Sequence, residues 1–407
     1  MSLSADGLSI AVSSPWGYNS LGYKCGNVRV FDWSGTAWVQ RGNTIEGEGN
    51  VFPAFSGDVF GTALELSANG NHIVVGARSN TQEFNVLQFQ GHARVFSWNG
   101  STWQQVGQDL DGDLTGGVQE FGYAVSINKA GDRVAVGARG HNGVAQGAGL
   151  VKIFEFDGNE WIQMGSSLVG TLLGENFGSA VRLTKDGNSV AVGAPGGGTN
   201  SAGTTKVFNW NGTNWIQRGA SINGIGSSKS GFAIDISEDG AILAIGEPWK
   251  NSFNGAVRLF KWNNNSWQNL GITILPAGPI SNINAFGSAV RLNNIGSRVI
   301  VGAPSNSDVG SNFGEVSVYN NPSVIGLNEA LEVDIQIYPN PSSGLFYISG
   351  SNQIEEIYIY NLMGELIATE AIHSTQAKLN LSQAAAGMYV LRIQTQTGVQ
   401  LKRISKL

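Results

Sequence analysis

The chain has one cysteine, four histidines and little charge, with Asp, Glu, Lys and Arg making up only 13 % of 407 residues. A lone Cys25 excludes an intrachain disulfide and any zinc site built on cysteines. It precedes a strand glycine and reads as a small residue at a loop end. The formal net charge of −6 leaves no basic footprint, which argues against nucleic acid as a partner. No apolar run reaches the ~18 residues that a membrane-spanning helix requires. The opening MSLSADGLSIAV has neither a basic start nor a long apolar stretch, so it is not a signal peptide. His72, His92, His141 and His373 fall at unrelated positions without metal-ligand spacing. No Gly-x-Ser-x-Gly, phosphate loop or cysteine–histidine pair is visible, so no catalytic constellation supports an enzyme.

What the chain has in quantity is glycine and tryptophan, 57 and 11 residues. They are distributed periodically. FGSAVRL occurs at Phe177–Leu183 and again at Phe286–Leu292, with relatives FGTAL at Phe60, FGYAV at Phe121 and SGFAI at Ser230. Each is followed by an apolar strand ending in Gly-Ala or a variant, then by Gly-x-x-x-apolar-aromatic (GNVRVF, GHARVF, GLVKIF, GTTKVF, GAVRLF, GEVSVY). Five of these lead into a tryptophan hairpin, such as NWNGTNWIQRG. The glycine of Phe-Gly or Ser-Gly precedes that of Val-Gly-Ala by 15 residues in all five complete copies. The third-strand aromatic precedes the glycine closing the hairpin by 11 in all five. Tandem units of roughly 56 residues, each four short strands, predict a β-propeller with one unit per blade. Trp38, Trp103, Trp161, Trp215 and Trp267 recur in register and are expected to pack blades.

The two remaining connections vary in length. In an up-and-down blade they share one face, so one face is clipped short and the other decorated, the usual place for recognition. Trp16, Tyr18, Tyr23, Phe84, Phe89, Trp249, Phe253 and Phe313 lie on those loops. They are the candidate contacts for a glycan or an extracellular protein, weighed against a role in merely sealing the loops.

FGSAVRLTKDGNSVAVGAP resembles the FG-GAP repeat of integrin-α-type propellers, over roughly residues 1–320. In that family the turn between the first two strands often holds calcium on an acidic loop. Here those turns (SANGN, NKAGD, TKDGN, SEDGA, NNIGS) carry at most two acidic residues, too few oxygens for calcium. No cofactor is expected. Asp109, Asp111 and Asp113 in GQDLDGDLTG form a weak metal candidate, better read as a solvated turn. Copy six ends without a tryptophan strand, and copy one lacks its Phe-Gly strand, which by the fixed spacing would begin a few residues before Met1. Because closure removes open edges, the expectation is an N-terminal extension of about two strands completing six blades, or seven if a whole unit is missing.

After a linker at 321–332 the pattern changes. Residues 333–407 read as a small Ig-like β-sandwich of alternating strands. Tyr338-Pro339-Asn340-Pro341, Gly344, IYIYNLMGELI with Gly364, LNLS, AAGMYVLRI with Gly387 and the basic KRISK end resemble the type A C-terminal sorting domain of the type IX secretion system of Bacteroidetes. The resemblance implies engagement of that secretion machinery, passage across the outer membrane, and release or surface attachment. Substrates of that route also carry a signal peptide, and its absence here matches the missing strand at the front. The expectation is a secreted or surface-attached all-β protein whose propeller binds glycan or protein. A polysaccharide-active enzyme using loop carboxylates and a matrix component without a discrete ligand are the alternatives.

Overall fold

Glycine and asparagine turns cut residues Met1–Tyr319, the first of two compact units, into short antiparallel strands grouped in six sheets. The computed structural model describes residues 1–48, 57–80, 89–113, 117–276, 284–306, 314–321, 335–361, 366–395 and 398–407. Blade 1 holds β1 (Ser2–Leu3), β2 (Ser9–Ser14), β3 (Asn27–Trp33), β4 (Trp38–Gln40) and β5 (Ile45–Glu46). Blade 2 holds β6 (Ala63–Leu66), β7 (His72–Ala77), β8 (His92–Trp98), β9 (Trp103–Gln105) and β10 (Leu110–Asp111). Blade 3 holds β11 (Phe121–Ile127), β12 (Arg133–Ala138), β13 (Leu150–Phe156), β14 (Trp161–Gln163) and β15 (Leu168–Val169). Blade 4 holds β16 (Ala180–Leu183), β17 (Ser189–Ala194), β18 (Thr204–Trp210), β19 (Trp215–Gln217) and β20 (Ile222–Asn223). Blade 5 holds β21 (Ile234–Ile236), β22 (Ile242–Gly246), β23 (Val257–Asn263) and β24 (Ser266–Ile274), and blade 6 holds β25 (Ala289–Leu292), β26 (Arg298–Ala303) and β27 (Glu315–Asn320).

The four-stranded unit expected from the repeat is present, with one difference. In blades 1 to 4 the outer strand is split: Trp-x-Gln and a two-residue strand both pair with the third strand. The break falls at the glycine that ends each hairpin. A Cβ there would collide with a tryptophan of the next blade, 2.7 Å from Trp161 Cδ1 at Gly107 and 2.9 Å from Trp210 Cζ3 at Gly165.

The hairpin tryptophans therefore work between blades. Four of the five donate the indole N–H to the preceding blade: Trp103 to the Arg41 carbonyl at 3.0 Å, Trp161 to Val106 at 2.8 Å, Trp215 to Met164 at 3.0 Å and Trp267 to Arg218 at 3.0 Å. Trp161 is 3 % exposed, whereas Trp38, at the same position in blade 1, is 44 % exposed.

Nearer the axis the blades are joined through the backbone. The amide of each Phe-Gly aromatic, or of Ser230, donates to the residue preceding the third-strand glycine of the blade before, as in Phe177 to Ala148 at 3.0 Å and Ser230 to Ala202 at 2.9 Å. The innermost strands add a side-chain rung. Ser2, Glu65, Ser126 and Asp235 occupy one repeat position and accept from the backbone N–H of Leu66, Ile127, Leu183 and Leu292 in the next blade. Arg182 stands at the same position but has no acceptor. It instead reaches Glu65 and, at 3.3 Å, Asp235.

The second unit, Asn320–Leu407, has its own core, centred on Phe346, Ile348, Ile357, Ile359, Leu379, Leu391 and Ile393. Its strands are β28 (Gln336–Tyr338), β29 (Leu345–Asn361), β30 (Leu366–Asn380), β31 (Gly387–Thr395) and β32 (Gly398–Lys406). The first half of β29 pairs with β28 and β30, and after a register break between Ser349 and Ile354 its second half pairs with β30 and β31. Such corner strands fold one sheet over on itself as a small sandwich. The sorting-like residues have structural duties here. Asn340 accepts from the Ser405 amide and donates to the Arg403 carbonyl, both at 2.9 Å, tying the start of the unit to its last strand. Tyr338 stacks on Tyr347 at 6.0 Å. A Cβ on Gly344 would lie 2.7 Å from the Ser382 backbone, while Gly387 meets nothing within 4 Å. Gly364 lies outside the described residues.

All 11 tryptophans lie within Met1–Tyr319, so their fluorescence reports on the propeller alone. Trp161→Phe orphans the Val106 carbonyl and is expected to destabilise the propeller by ~1–3 kcal/mol. Trp38→Phe, at the same repeat position but without that bond, is expected to stay within about 0.5 kcal/mol. Urea titrations followed by tryptophan fluorescence check the difference.

Candidate recognition face

The variable loops build two aromatic clusters. In blade 1 the loop between β2 and β3 is held by Asn19, whose side-chain oxygen accepts from the amides of Leu21 and Tyr23 at 3.1 and 2.9 Å. Ser20 bonds Glu46 twice, at 2.9 and 2.8 Å. Trp16 and Tyr18 are left exposed, with the Lys24 ammonium 5.4 Å from the Trp16 ring, while Tyr23 is half-buried.

In blade 5 the loop after β22 carries Trp249 and Phe253, 45 % and 43 % exposed, their rings 5.2 Å apart. The Lys229 ammonium lies 5.1 Å from the Trp249 ring. Three consecutive non-glycine residues here, Asn251, Ser252 and Phe253, have φ of 52°, 57° and 73°. A left-handed backbone costs roughly 1–2 kcal/mol per such residue, and strain of this kind clusters at ligand clamps and active sites. Trp249 and Phe253 line a cavity of about 420 Å³ with Ile225 and Ser228. A second cavity of about 420 Å³, lined by Thr199, Asn200, Asn223 and Ile225, adjoins it and shares Ile225 and Gly226. Its loop is also left-handed, at Asn200 and Ser201. Blades 4 and 5 thus present one groove with apolar rings at one end and amide and hydroxyl groups at the other.

Of the aromatic candidates, Trp249 and Phe253 come together. Trp16 and Tyr18 belong to the separate blade 1 loop, and Phe89 is half-buried. Phe84 and Phe313 lie outside the described residues. Composition alone did not single out Thr199, Asn200, Asn223 or Ile225. Their only signal was their place in the length-variable connections.

Three carboxylates on this face are tied to cations from the third strands. Glu247, fully buried, meets Arg258 at 2.6 Å and Lys250 at 2.9 Å. Glu175 meets Lys206 at 3.3 Å, and Asp113 meets Lys152 at 2.5 Å. Asp109, Asp111 and Asp113 do not converge. Asp109 turns to His92 at 3.5 Å and to Gln105 at 2.6 Å, Asp111 sits on β10 opposite His92, and Asp113 turns to blade 3. The metal-type grouping is instead Glu48, His92 and Asp109, whose ligand atoms all lie within 4.8 Å of one another. Its three protein ligands are fewer than the six to eight oxygens calcium takes. Arg94, 3.6 Å from Glu48, adds a fixed positive charge beside it.

Burial dominates the titration of this corner. It drives the His92 imidazole down to about 4, with Arg94 adding to the effect and Asp109 opposing it. It pushes the neighbouring Asp58 carboxyl up to about 7, helped by the Glu48 charge and opposed by a hydrogen bond from the Glu48 amide and by Arg94. The two therefore act oppositely on stability. Asp58, raised in the folded state, contributes stability that is present below its ordinary value near 3.8 and lost as pH rises towards 7. His92, depressed, contributes stability that is present above 6.5 and lost as pH falls towards 4. The acid is expected to titrate above the base. NMR titration should show His92 neutral down to about pH 4 and Asp58 with a midpoint near 7 that falls on Glu48→Gln.

Comparison with known proteins identifies the second unit and the fold of the first. Residues 336–406 match the family described as the secretion system C-terminal sorting domain. No curated protein matches the chain. Among solved structures, a Bacteroides fragilis protein whose name offers 6-phosphogluconolactonase as a provisional assignment superposes with a TM-score of 0.50 at 11 % identity, over 92 % of this chain and 98 % of that one. A Lactobacillus plantarum protein gives 0.47 at 13 % identity, over 92 % and 99 %. At that identity the first likeness speaks to fold alone. Among the described residues no helix is long and apolar enough to cross a membrane.

Proposed function

We propose that the protein is a type IX secretion cargo whose propeller binds an extracellular glycan or protein in the groove between the blade 4 and blade 5 loops. The carrying observation is the Trp249–Phe253 pair, exposed on a left-handed turn and adjoining the amides of Asn200 and Asn223. Apolar rings beside fixed amide and hydroxyl groups suit a sugar, which has both an apolar ring face and hydroxyls to bond. Binding is favoured over hydrolysis because Glu175, Glu247 and Asp113 are held in ion pairs, and in the neighbouring pair Glu48 and Asp58 the Asp58 carboxyl is fully buried and out of a ligand's reach. The sorting domain supports export and a secreted or surface-attached destination. The repeats' likeness to the FG-GAP unit fits a role in adhesion.

Two measurements test this reading. On glycan and matrix-protein arrays, saturable binding should weaken at least tenfold in Trp249→Ala, a loss of ~1.4 kcal/mol or more, while Trp16→Ala stays within about twofold. Unchanged binding in Trp249→Ala would remove the groove from the proposal. Deleting residues 336–406 should leave the propeller folded by tryptophan fluorescence but absent from the cell surface and the medium.

A further inference from the structure

The variable connections differ in charge. Those at 46–59 and 111–120 hold Glu46, Glu48, Asp58, Asp111, Asp113 and Glu120 and no lysine or arginine. The three that build the blade 4 and blade 5 groove, 195–203, 223–230 and 247–256, hold only Lys229, Lys250 and Glu247. Glu247 does not reach the groove. It is fully buried, on a site where blades 2, 3, 4 and 6 have alanine, and it meets both Arg258 at 2.6 Å and Lys250 at 2.9 Å. One carboxylate between two cations leaves one positive charge over, and Lys250, the more exposed of the two, lines the cavity with Trp249 and Phe253. Lys229 adds a second. At its repeat position the other junctions have Val59, Glu120, Asn176 and Ala285, all with φ between 50° and 57° as here, so blade 5 alone puts a cation there. Its ammonium lies 5.1 Å from the Trp249 ring, and among the described residues it has no carboxylate partner. The Trp249 amide donates to the Ser228 carbonyl at 3.2 Å, which holds the two lysine-bearing loops side by side. No aspartate or glutamate lines either cavity. In a chain of net charge −6 this is a local reversal of sign, and a concave wall focuses such a field on whatever enters.

We infer that the groove takes an acidic glycan, one whose sugars carry a carboxylate or a sulfate. This rests on the reading of the same groove as a binding site and narrows its ligand. The apolar face of a sugar lies on Trp249 and Phe253, its acid group meets the Lys229 and Lys250 ammonium groups, and its hydroxyls reach Asn200 and Asn223. Lysine is a compact point charge with three donors, so carboxylate and sulfate are one chemistry to this site. A neutral glycan in the same place strips water from both ammonium groups and offers them no counter-charge, which sets acidic apart from neutral sugars. The blade 1 loop supplies a built-in control. There Lys24 stands 5.4 Å from the Trp16 ring, the same pairing of cation and indole outside the groove.

The test measures binding of the full chain to two pairs of polymers that share a backbone and differ in charge, polygalacturonate with its methyl ester and dextran sulfate with dextran. At least one acidic polymer should bind about tenfold or more tighter than its neutral parent, and which of the two does so tells carboxylate from sulfate. Lys229→Gln and Lys250→Gln should each weaken that binding about threefold or more, while Lys24→Gln stays within about twofold. Arg258 still neutralises Glu247 in Lys250→Gln, so its tryptophan fluorescence should be that of the parent chain. Raising salt from about 0.05 to about 0.5 M should weaken binding several-fold in the parent chain and little in the double lysine variant. Equal binding of acidic and neutral forms, both lost in Trp249→Ala, would overturn the charge inference and leave the groove in place. Binding of an acidic polymer that ignores Trp249→Ala and both lysine variants would overturn the groove as well. Failure to bind either acidic polymer would overturn the inference, as would tighter binding of polyglutamate, which would assign the groove to an acidic peptide.

Discussion

The constraint on which the propeller depends is the approach of one blade's backbone to the next. At Gly76, Gly137, Gly193 and Gly246 the carbonyl of the following Phe-Gly occupies the space a Cβ would need. Interiors this tightly packed transmit any added volume as strain. The approach puts the Phe-Gly amide within bonding distance of the previous blade and lets the inner strands exchange side-chain rungs. Further out, the same spacing brings each indole onto a carbonyl. A glycine at two fixed points therefore sets the distance at which the other contacts between blades are made.

The aromatic of Phe-Gly serves the interior of its own blade. Arg94, Lys152 and Lys206, at one third-strand position, lie 4.6, 5.7 and 5.4 Å from the rings of Phe60, Phe121 and Phe177. Each also meets a carboxylate from the loops, Glu48, Asp113 and Glu175. A cation over a ring is stabilised by the ring's quadrupole, and the carboxylate balances its charge where water is scarce. Blade 5 shows why the aromatic can be lost. With Ser230 in its place, Arg258 donates to the serine hydroxyl at 3.2 Å and keeps Glu247 as counter-ion. The weak fourth copy of the motif is thus an exchange of a ring for a hydroxyl under the same guanidinium.

Much of this was legible because it is periodic. Strand order and the packing role of the tryptophans followed from two invariant spacings, which reflect strands of fixed length on a fixed scaffold, whereas the spacings left the number of blades open between six and seven. The split of the outer strand was less visible, because Gly42, Gly107, Gly165 and Gly219 read equally well as turn residues at a strand end. The face built from the variable loops was legible as a face, but which of its residues come together was not. Which loop aromatics meet depends on local backbone choices such as the left-handed run Asn251–Phe253, of which only Asn251 is of a type enriched in that conformation, so the sequence does not mark it. Asp109, Asp111 and Asp113, read as a solvated turn rather than a metal site, indeed do not converge. Strand β10 covers only Leu110 and Asp111, so the flanking Asp109 and Asp113 leave it and each finds a partner of its own.

The inner ring shows how the scaffold constrains function. Four of its rungs are side-chain oxygens that accept from the next blade, and the fifth, Arg182, can only donate. Its guanidinium meets Glu65 and Asp235, rung residues of blades 2 and 5. Burial raises the Asp235 carboxyl to about 6, with Arg182 and the Leu292 amide opposing the rise. A buried charge is tolerable only when paired and hydrogen-bonded, and here the pairing links three blades at their innermost strands. Among the described residues, Glu48, Asp113, Glu175 and Glu247 of the loops are likewise committed to third-strand cations, so charge near the blades is spent on holding them together. This follows from the repeat itself: positions shared by the blades hold the ring together, and the connections whose length the repeat does not fix are left free to vary.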